Sequence, residues 1–281
     1  MELGLYGIWT SFHAIGEENA PAAAKVAQDL GYGTFWVGGS PRLASLRPAL
    51  EVTDSITVGT SIVNVWQYEP AELCAEFHAL EADFPGRVIV GIGIGHPEAT
   101  SEYEKPLTKM TGFLDGIAAS PAPIPAERMI IAALGPRMLD LSGARSLGTI
   151  PYFTPPEHTG AARERLALPA LVAPELAMVL DEDRPRAAAT ARRYAELYLG
   201  LANYTTNLKR FGFSDTDIAA GGSDRLMNTI VPQGSAAALA EHVAAHRAAG
   251  ADHVCIQTLG GPGVPEADWA AMASALGLRR G

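Results

Sequence analysis

The chain has 281 residues, a high apolar share and a formal charge of −10. That length suits one large α/β domain or two smaller ones, and an α/β barrel needs about 250 residues. The negative charge excludes general nucleic-acid binding, because a phosphate backbone would be repelled, and no apolar run is long enough to cross a bilayer. Met1-Glu2-Leu3 shows no basic-then-apolar leader, so a cytoplasmic location is expected. Cys74 and Cys255 lie far apart in apolar patterns and read as reduced core residues.

Residues 3–9 read as a first strand, with Ser11, Phe12 and His13 just past its end. Asn19 is placed to cap a helix whose first turn holds Pro21 and which stops at Gly31. Residues 34–37 form a second strand, closed by Gly38-Gly39-Ser40-Pro41, and a helix follows over 42–52. The β-branched run 56–63 is a third strand. Glu69-Pro70 opens a helix with Leu73, Phe77 and Leu80 at helical spacing, and 87–94 is a fourth strand. These pieces make one right-handed βαβ unit, and the glycines of Gly91-Ile-Gly-Ile-Gly95 allow a ligand close to the backbone.

An amphipathic helix spans 101–119 and a proline-rich linker covers 121–125. A fifth strand at 128–134 runs into Gly135-Pro136-Arg137, where a helix begins. Residues 149–154 are a short sixth strand before a helix opened by Pro155-Pro156. Residues 171–180 are an irregular seventh, broken by Pro174 and Glu175. A helix over 185–201, a helical excursion at 204–210 with a polar loop, and a short helix at 224–231 come next. Ser235 caps a further helix, 253–257 is the eighth strand, and 268–276 is a closing helix. Eight strands alternating with helices predict an α/β fold, a closed (β/α)8 TIM barrel over 1–281, with 203–231 inserted before the last strand.

Four features bear on function. The N-terminus of the helix after Gly135 offers unpaired N–H groups and a partial positive charge, an anion site to which Arg137 can add. The glycines at 91–95 lack dinucleotide-loop spacing and read as a strand end closing on a flat ligand. His13, His96 and His158 fall after strands, on the face where such barrels act, whereas His78, His242 and His246 lie in helical patterns and read as surface residues. His253 reads as structural. Trp9, Trp36 and Trp66 stand at strand ends, where aromatics can wall an apolar pocket, Trp36 belonging rather to the core. No metal-ligand spacing or nucleophile elbow is present, so no metal is expected.

Three runs, 29–37 (DLGYGTFWV), 57–62 (TVGTSI) and 85–93 (PGRVIVGIG), together resemble the bacterial-luciferase-like flavin and deazaflavin oxidoreductases. Residues 132–139 (AALGPRML), 152–158 (YFTPPEH) and 222–226 (GSDRL) resemble an actinobacterial subgroup assigned to coenzyme F420 rather than FMN. The resemblance implies a barrel whose insertion covers the active face, and a cofactor ring against a non-prolyl cis peptide at Ser61-Ile62. It also implies a cofactor path past Gly95 and His96, with its phosphate portion at Leu134, Gly135, Pro136 and Arg137. Sugar-phosphate dehydrogenases of this family carry an Asp-His pair after strand two, where this chain has Gly38-Gly39-Ser40. That reaction therefore does not carry over, and His13, Trp66 and His96 are the residues left to test as catalytic.

The expected activity is hydride transfer between coenzyme F420 and a small organic substrate. An FMN-dependent monooxygenase is the alternative, and a barrel that binds cofactor or metabolite without turnover is the non-redox one. Family members often form homodimers, and the sequence shows no interface.

Overall fold

The computed structural model describes residues 3–95 and 105–279. All strand pairings among them are parallel. The strands are β1 (Tyr6–Ser11), β2 (Thr34–Gly38), β3 (Thr57–Thr60), β4 (Val63–Asn64), β5 (Val88–Gly93) and β6 (Met129–Ile131). They continue as β7 (Gly148–Thr149), β8 (Leu171–Val172), β9 (Glu175–Leu180), β10 (Gln233–Gly234) and β11 (Val254–Thr258). The ladder order is β10-β9-β11-β1-β2-β3-β5-β6-β7-β8, with β4 against β5. Its ends meet, because β8 and β9 are two stretches of one segment interrupted at Pro174. One edge of that segment bonds toward β7: Ala173 N donates to Thr149 O at 2.9 Å and Glu175 N to Pro151 O at 2.9 Å. On the other edge, Cys255 N donates to Pro174 O at 2.9 Å. The hydrogen bonds thus run fully round a barrel of the expected (β/α)8 kind.

Alternation along the strands sorts the residues. Ile8, Phe35, Val58, Val88, Val90, Ile131, Leu176, Val254 and Ile256 join the cluster shared with the surrounding helices. The opposite set, Trp9, Trp36, Ile89, Ile130, Ile150, Ala173 and Cys255, fills the barrel interior. Two tryptophans in so small a space require glycine opposite them. A Cβ on Gly38 would lie 1.9 Å from Trp9 Cζ2, and one on Gly59 2.8 Å from Trp36 Cζ3. At the foot of the barrel the Trp36 indole N–H donates to His253 Nε2 at 3.1 Å, and His253 Nδ1–H donates to Gly4 O at 2.8 Å. These two bonds fix one neutral tautomer, and burial lowers the pKa of His253 to about 4.

A long excursion falls between β9 and β11. It comprises helices Arg184–Leu199, Ala202–Arg210, Asp215–Ile218 and Asp224–Ile230, then β10 and helix Ala236–Ala248. The stretch expected as a polar loop holds a helical turn. Ser214 accepts from Asp217 N while the Asp217 side chain accepts from Ser214 N, a reciprocal cap. The helix expected over 42–52 is a 3₁₀ turn, Leu43–Leu46, leading into Arg47–Glu51, with Pro48 in the first turn. The helix expected from 101 is Pro106–Ala118 among the described residues. Cys74 and Cys255 are free and buried, and no helix among the described residues is long and apolar enough to cross a membrane.

Candidate functional site

A cavity of about 1250 Å³ opens at the C-terminal ends of the strands, the face on which such barrels build their sites. β1 contributes Trp9 and Ser11, the segment after β3 gives Ser61 and Ile62, and the end of β5 gives Gly93 and Gly95. Ala132, Leu134, Gly135, Pro136 and Arg137 come from the end of β6 and the helix after it, and Tyr152 and Gln257 from the opposite side. The excursion adds Arg193, Tyr194 and Tyr198 from one helix and Asn203, Tyr204 and Arg210 from the next.

The Ser61–Ile62 peptide bond is cis, at the position the resemblance indicated. The neighbouring backbone is stripped of side chains. A Cβ on Gly93 would lie 2.5 Å from Ile62 Cγ1, and one on Gly95 (φ +65°) 2.8 Å from Asn64 Nδ2. Gly95, Leu134, Gly135, Pro136 and Arg137 share the one cavity with Ser61 and Ile62. His13 is exposed on the short helix Phe12–Ile15 and lines the rim. Trp66 is not among the described residues lining the cavity. Its indole N–H donates to Ile94 O at 2.7 Å, which braces the strand end from behind, and Lys109 Nζ lies 4.6 Å from its ring centroid. His96 lies outside the described residues.

Two histidine expectations change. His158 is fully buried in helix Pro156–Arg165, and its Nε2–H donates to Leu134 O at 3.0 Å, buttressing the turn before Gly135 from outside the cavity. Burial lowers its pKa to about 4. His246, read as a surface residue, is buried and bonds Thr159 Oγ1 through Nδ1 at 2.9 Å, and burial lowers its pKa to about 3. It shares the apolar stripe of Leu239 and Val243, which is why it faces inward.

Of the cavity's charges the sequence names the helix N-terminus after Gly135 and Arg137, and the fold adds Arg193 and Arg210. Helix Pro136–Arg145 starts without a side-chain cap, so its N-terminus keeps its partial positive charge. Arg137, Arg193 and Arg210 line the cavity, and Arg210 Nη1 would lie 3.5 Å from a Cβ on Gly135. None of the three has a carboxylate partner among the described residues. By contrast Arg42, Arg128, Arg163, Arg165, Arg186 and Arg192, on other surfaces, are all paired. Concentrating uncompensated cations in one cavity of an acidic protein is an arrangement for anions.

The opposite wall is phenolic. Tyr152 and Tyr194 bond through their hydroxyls, Tyr152 and Tyr198 hydroxyls lie 2.8 Å apart, and Tyr194 donates to Gln257 Oε1 at 2.9 Å. Trp9, with its ring centroid 5.6 Å from that of Tyr152, has an enclosed indole N–H with no partner. Among the described residues no group of His, Cys, Asp and Glu could hold a metal ion.

The luciferase-like monooxygenase family model matches residues 6–115. No curated relative matches the chain in sequence. Among solved structures, an F420-dependent secondary alcohol dehydrogenase in complex with an F420-acetone adduct is 16% identical, with a TM-score of 0.76 over 100% of both chains. The coenzyme F420 dependent tetrahydromethanopterin reductase from Methanopyrus kandleri is 16% identical, with a TM-score of 0.74 over 99% of this chain and 100% of its own. The oxygenating constituent of 3,6-diketocamphane monooxygenase from Pseudomonas putida, a complex with FMN, is 14% identical, with a TM-score of 0.65 over 100% and 97%. Residues 6–115 thus match the luciferase-like monooxygenase family model, and the whole chain shares the fold of these solved structures.

Proposed function

We propose that the protein is an oxidoreductase that transfers a hydride between coenzyme F420 and a small organic substrate. The observation that carries this reading is that Arg137, Arg193 and Arg210, none with a carboxylate partner among the described residues, line one large, mainly apolar cavity together with the stripped backbone of Ser61, Ile62, Gly93 and Gly95. The residues present fit the group: glycines leave space for a flat ring, and the arginines extend beyond what one phosphate needs. A deazaflavin with an acidic tail would engage all three, whereas FMN ends at a single phosphate. FMN is the second reading, supported by the fold shared with the FMN complex above.

In this reading Ser61 and Ile62 back the ring, and Leu134, Gly135 and the first turn of the helix at Pro136 hold the phosphate. His158 fixes that turn through the Leu134 carbonyl. When bound, the deazaflavin supplies or accepts a hydride at its central ring. Trp9, Tyr152 and the excursion's tyrosines exclude water from the substrate side.

The test is titration with coenzyme F420 and, separately, with FMN, followed by tryptophan quenching. The expected result is tighter F420 binding that weakens in Arg137→Ala. Preference for FMN would transfer the assignment to a flavin monooxygenase. Binding of neither at tens of micromolar would leave a metabolite-binding barrel.

A further inference from the structure

One side chain on the phenolic wall is aimed and uncommitted. Gln257 follows Ile256, which pairs with Ile8, so it stands beside Trp9 near the top of the barrel. Strand alternation puts it on the interior face with Cys255. Its Oε1 accepts from the Tyr194 hydroxyl at 2.9 Å and lies 3.2 Å from that of Tyr152. Its Nε2 has no partner among the described residues. Nor is that nitrogen one of the enclosed polar atoms, as Trp9 Nε1 and both Glu175 oxygens are. Gln257 lines the cavity, so its amide N–H groups open into it.

The phenols fix that orientation and have no proton left to give. Tyr194 donates its proton to Gln257 Oε1. Tyr152 is then the donor in its contact with Tyr194, and Tyr198 the donor in its 2.8 Å contact with Tyr152. The bonds run one way, from Tyr198 through Tyr152 and Tyr194 to the amide oxygen, and use all three hydroxyl protons. Burial keeps the three phenols protonated. Glu175 is 2% exposed and does not line the cavity, and its carboxyl has no partner among the described residues, so it takes no part in this site.

Such a wall can hold a substrate oxygen but cannot protonate it, because an amide N–H donates a hydrogen bond without giving up its proton. Hydride addition at a carbonyl carbon would leave a strongly basic alkoxide that needs a proton at oxygen. Hydride addition to a conjugated alkene leaves an enolate, whose charge is shared between oxygen and carbon and whose proton ends on carbon. A fixed neutral donor suits the second, since it meets the oxygen on which charge develops. The neighbours Trp9, Tyr152, Tyr194 and Tyr198 are aromatic and uncharged, which favours a neutral acceptor over a carboxylate. We propose that the substrate is an α,β-unsaturated carbonyl compound, and that the Gln257 amide N–H holds its oxygen while hydride reaches the β-carbon. The inference rests on the hydride-transfer reading above and names its substrate class. The β-carbon gains a C–H bond from the hydride of the reduced deazaflavin, and the alkene π bond breaks. Its electron pair forms a new π bond between the α-carbon and the carbonyl carbon, and the C=O π pair moves onto the oxygen. On release the α-carbon takes a proton from solvent water, leaving hydroxide, and the C=O bond re-forms. The deazaflavin is oxidised by two electrons and the alkene reduced by two. Gln257 is the catalytic residue, and Tyr194 is a positioning residue that acts through it.

Infrared spectroscopy of the whole protein with oxidised coenzyme F420 tests the subsite without turnover. The probe is cyclohex-2-enone, and the difference between unlabelled and carbonyl-labelled ligand isolates its C=O band. That band should lie at lower frequency in wild type than in Gln257→Met, and than in Gln257→Glu, which keeps an acceptor for the phenols and removes the donor. Tyr194→Phe frees the amide to turn and should place the band between the two. In turnover, wild type should oxidise reduced F420 with cyclohex-2-enone and yield cyclohexanone. Loss of the one oxyanion donor should lower kcat about 100-fold in both Gln257 variants, with KM little changed. Tryptophan quenching by F420 should be the same in all variants as in wild type. A wild type that does not bind F420 sinks the redox reading itself. With F420 bound, a carbonyl band unmoved by either Gln257 variant, cyclohex-2-en-1-ol as the product, or full turnover in those variants overturns the inference.

Discussion

Glu175→Gln should stabilise the protein, increasingly so as pH rises. An unfolded glutamate titrates near 4.5, and burial raises the folded carboxyl well above that. Between those two points the folded state holds one proton more than the unfolded state, so stability falls with rising pH. The slope is about 1.4 kcal/mol per pH unit for one fully retained proton. Glutamine is close to the protonated acid in shape and does not titrate, so the variant loses that slope. For a chain of this size about 1 kcal/mol moves Tm by roughly 2–4 °C, and each pH unit should widen the gap between variant and wild type by about 3–6 °C.

The assay is urea unfolding by tryptophan fluorescence at pH values from 5 to 8, comparing midpoints at equal slope. The difference between the two proteins isolates Glu175, because every other titrating group is common to both. A difference that stays flat with pH would mean that the carboxyl ionises inside the fold, and the argument from its burial would be refuted.

Three further predictions follow from named contacts. His158, His246 and His253 are buried with pKa values lowered to about 4, 3 and 4. The unfolded chain therefore takes up protons below about pH 6.5 that the folded one refuses, and stability falls as pH is lowered below that point, by about 1.4 kcal/mol per unit for each histidine; His246→Gln should remove one proton from that dependence in acid titrations followed by urea midpoints, and a full residual slope would mean that His246 is charged in the fold. Gly38→Ala drives a Cβ to 1.9 Å from Trp9 Cζ2, so it should cost about 1–3 kcal/mol and alter the near-ultraviolet circular dichroism of the indole, and an unchanged spectrum and midpoint would contradict the packing. Arg210→Ala should weaken F420 binding by about 10–100-fold, the loss of one charge-assisted contact, in the same quenching titration, and an unchanged affinity would remove Arg210 from the anion site.

The strands were legible because their apolar, β-branched runs are bounded by polar or turn residues, as in 56–63 after Asp54-Ser55 and 87–94 between Pro85-Gly86 and Gly95. The helix start at Pro136 was legible because Gly135-Pro136 is a local signal for one. Glu175 registered only as an irregularity in a strand, since nothing local says that a lone carboxyl faces the interior. Arg193, Tyr194 and Tyr198 sit on a helix whose pattern reads as ordinary amphipathic surface, and only the fold of the excursion turns that face onto the barrel. His246 had a readable signal in its spacing of three and seven from Val243 and Leu239, but a titratable residue on such a stripe was assigned to solvent. Trp66 stood at a strand end as expected, yet its N–H turns back to Ile94. A position in the chain fixes which end of the barrel a residue occupies, not which way its side chain leans.

The absence of a titratable side chain at Gly38-Gly39-Ser40 has a steric counterpart. Trp9 occupies the space that any side chain at 38 would need, so position 38 cannot carry a titratable group. The polar groups of the interior lie instead on the far side, where Tyr152, Glu175 and Gln257 project from neighbouring strand segments. The cations lie elsewhere again, on the helix after β6 and on the excursion. Separation of the two is electrostatically consistent. An arginine near Glu175 would draw off its proton, and a carboxylate near Arg137 would neutralise the anion site. In the proposed reading the arginines that line the cavity would meet the anionic part of the cofactor, away from the neutral acid.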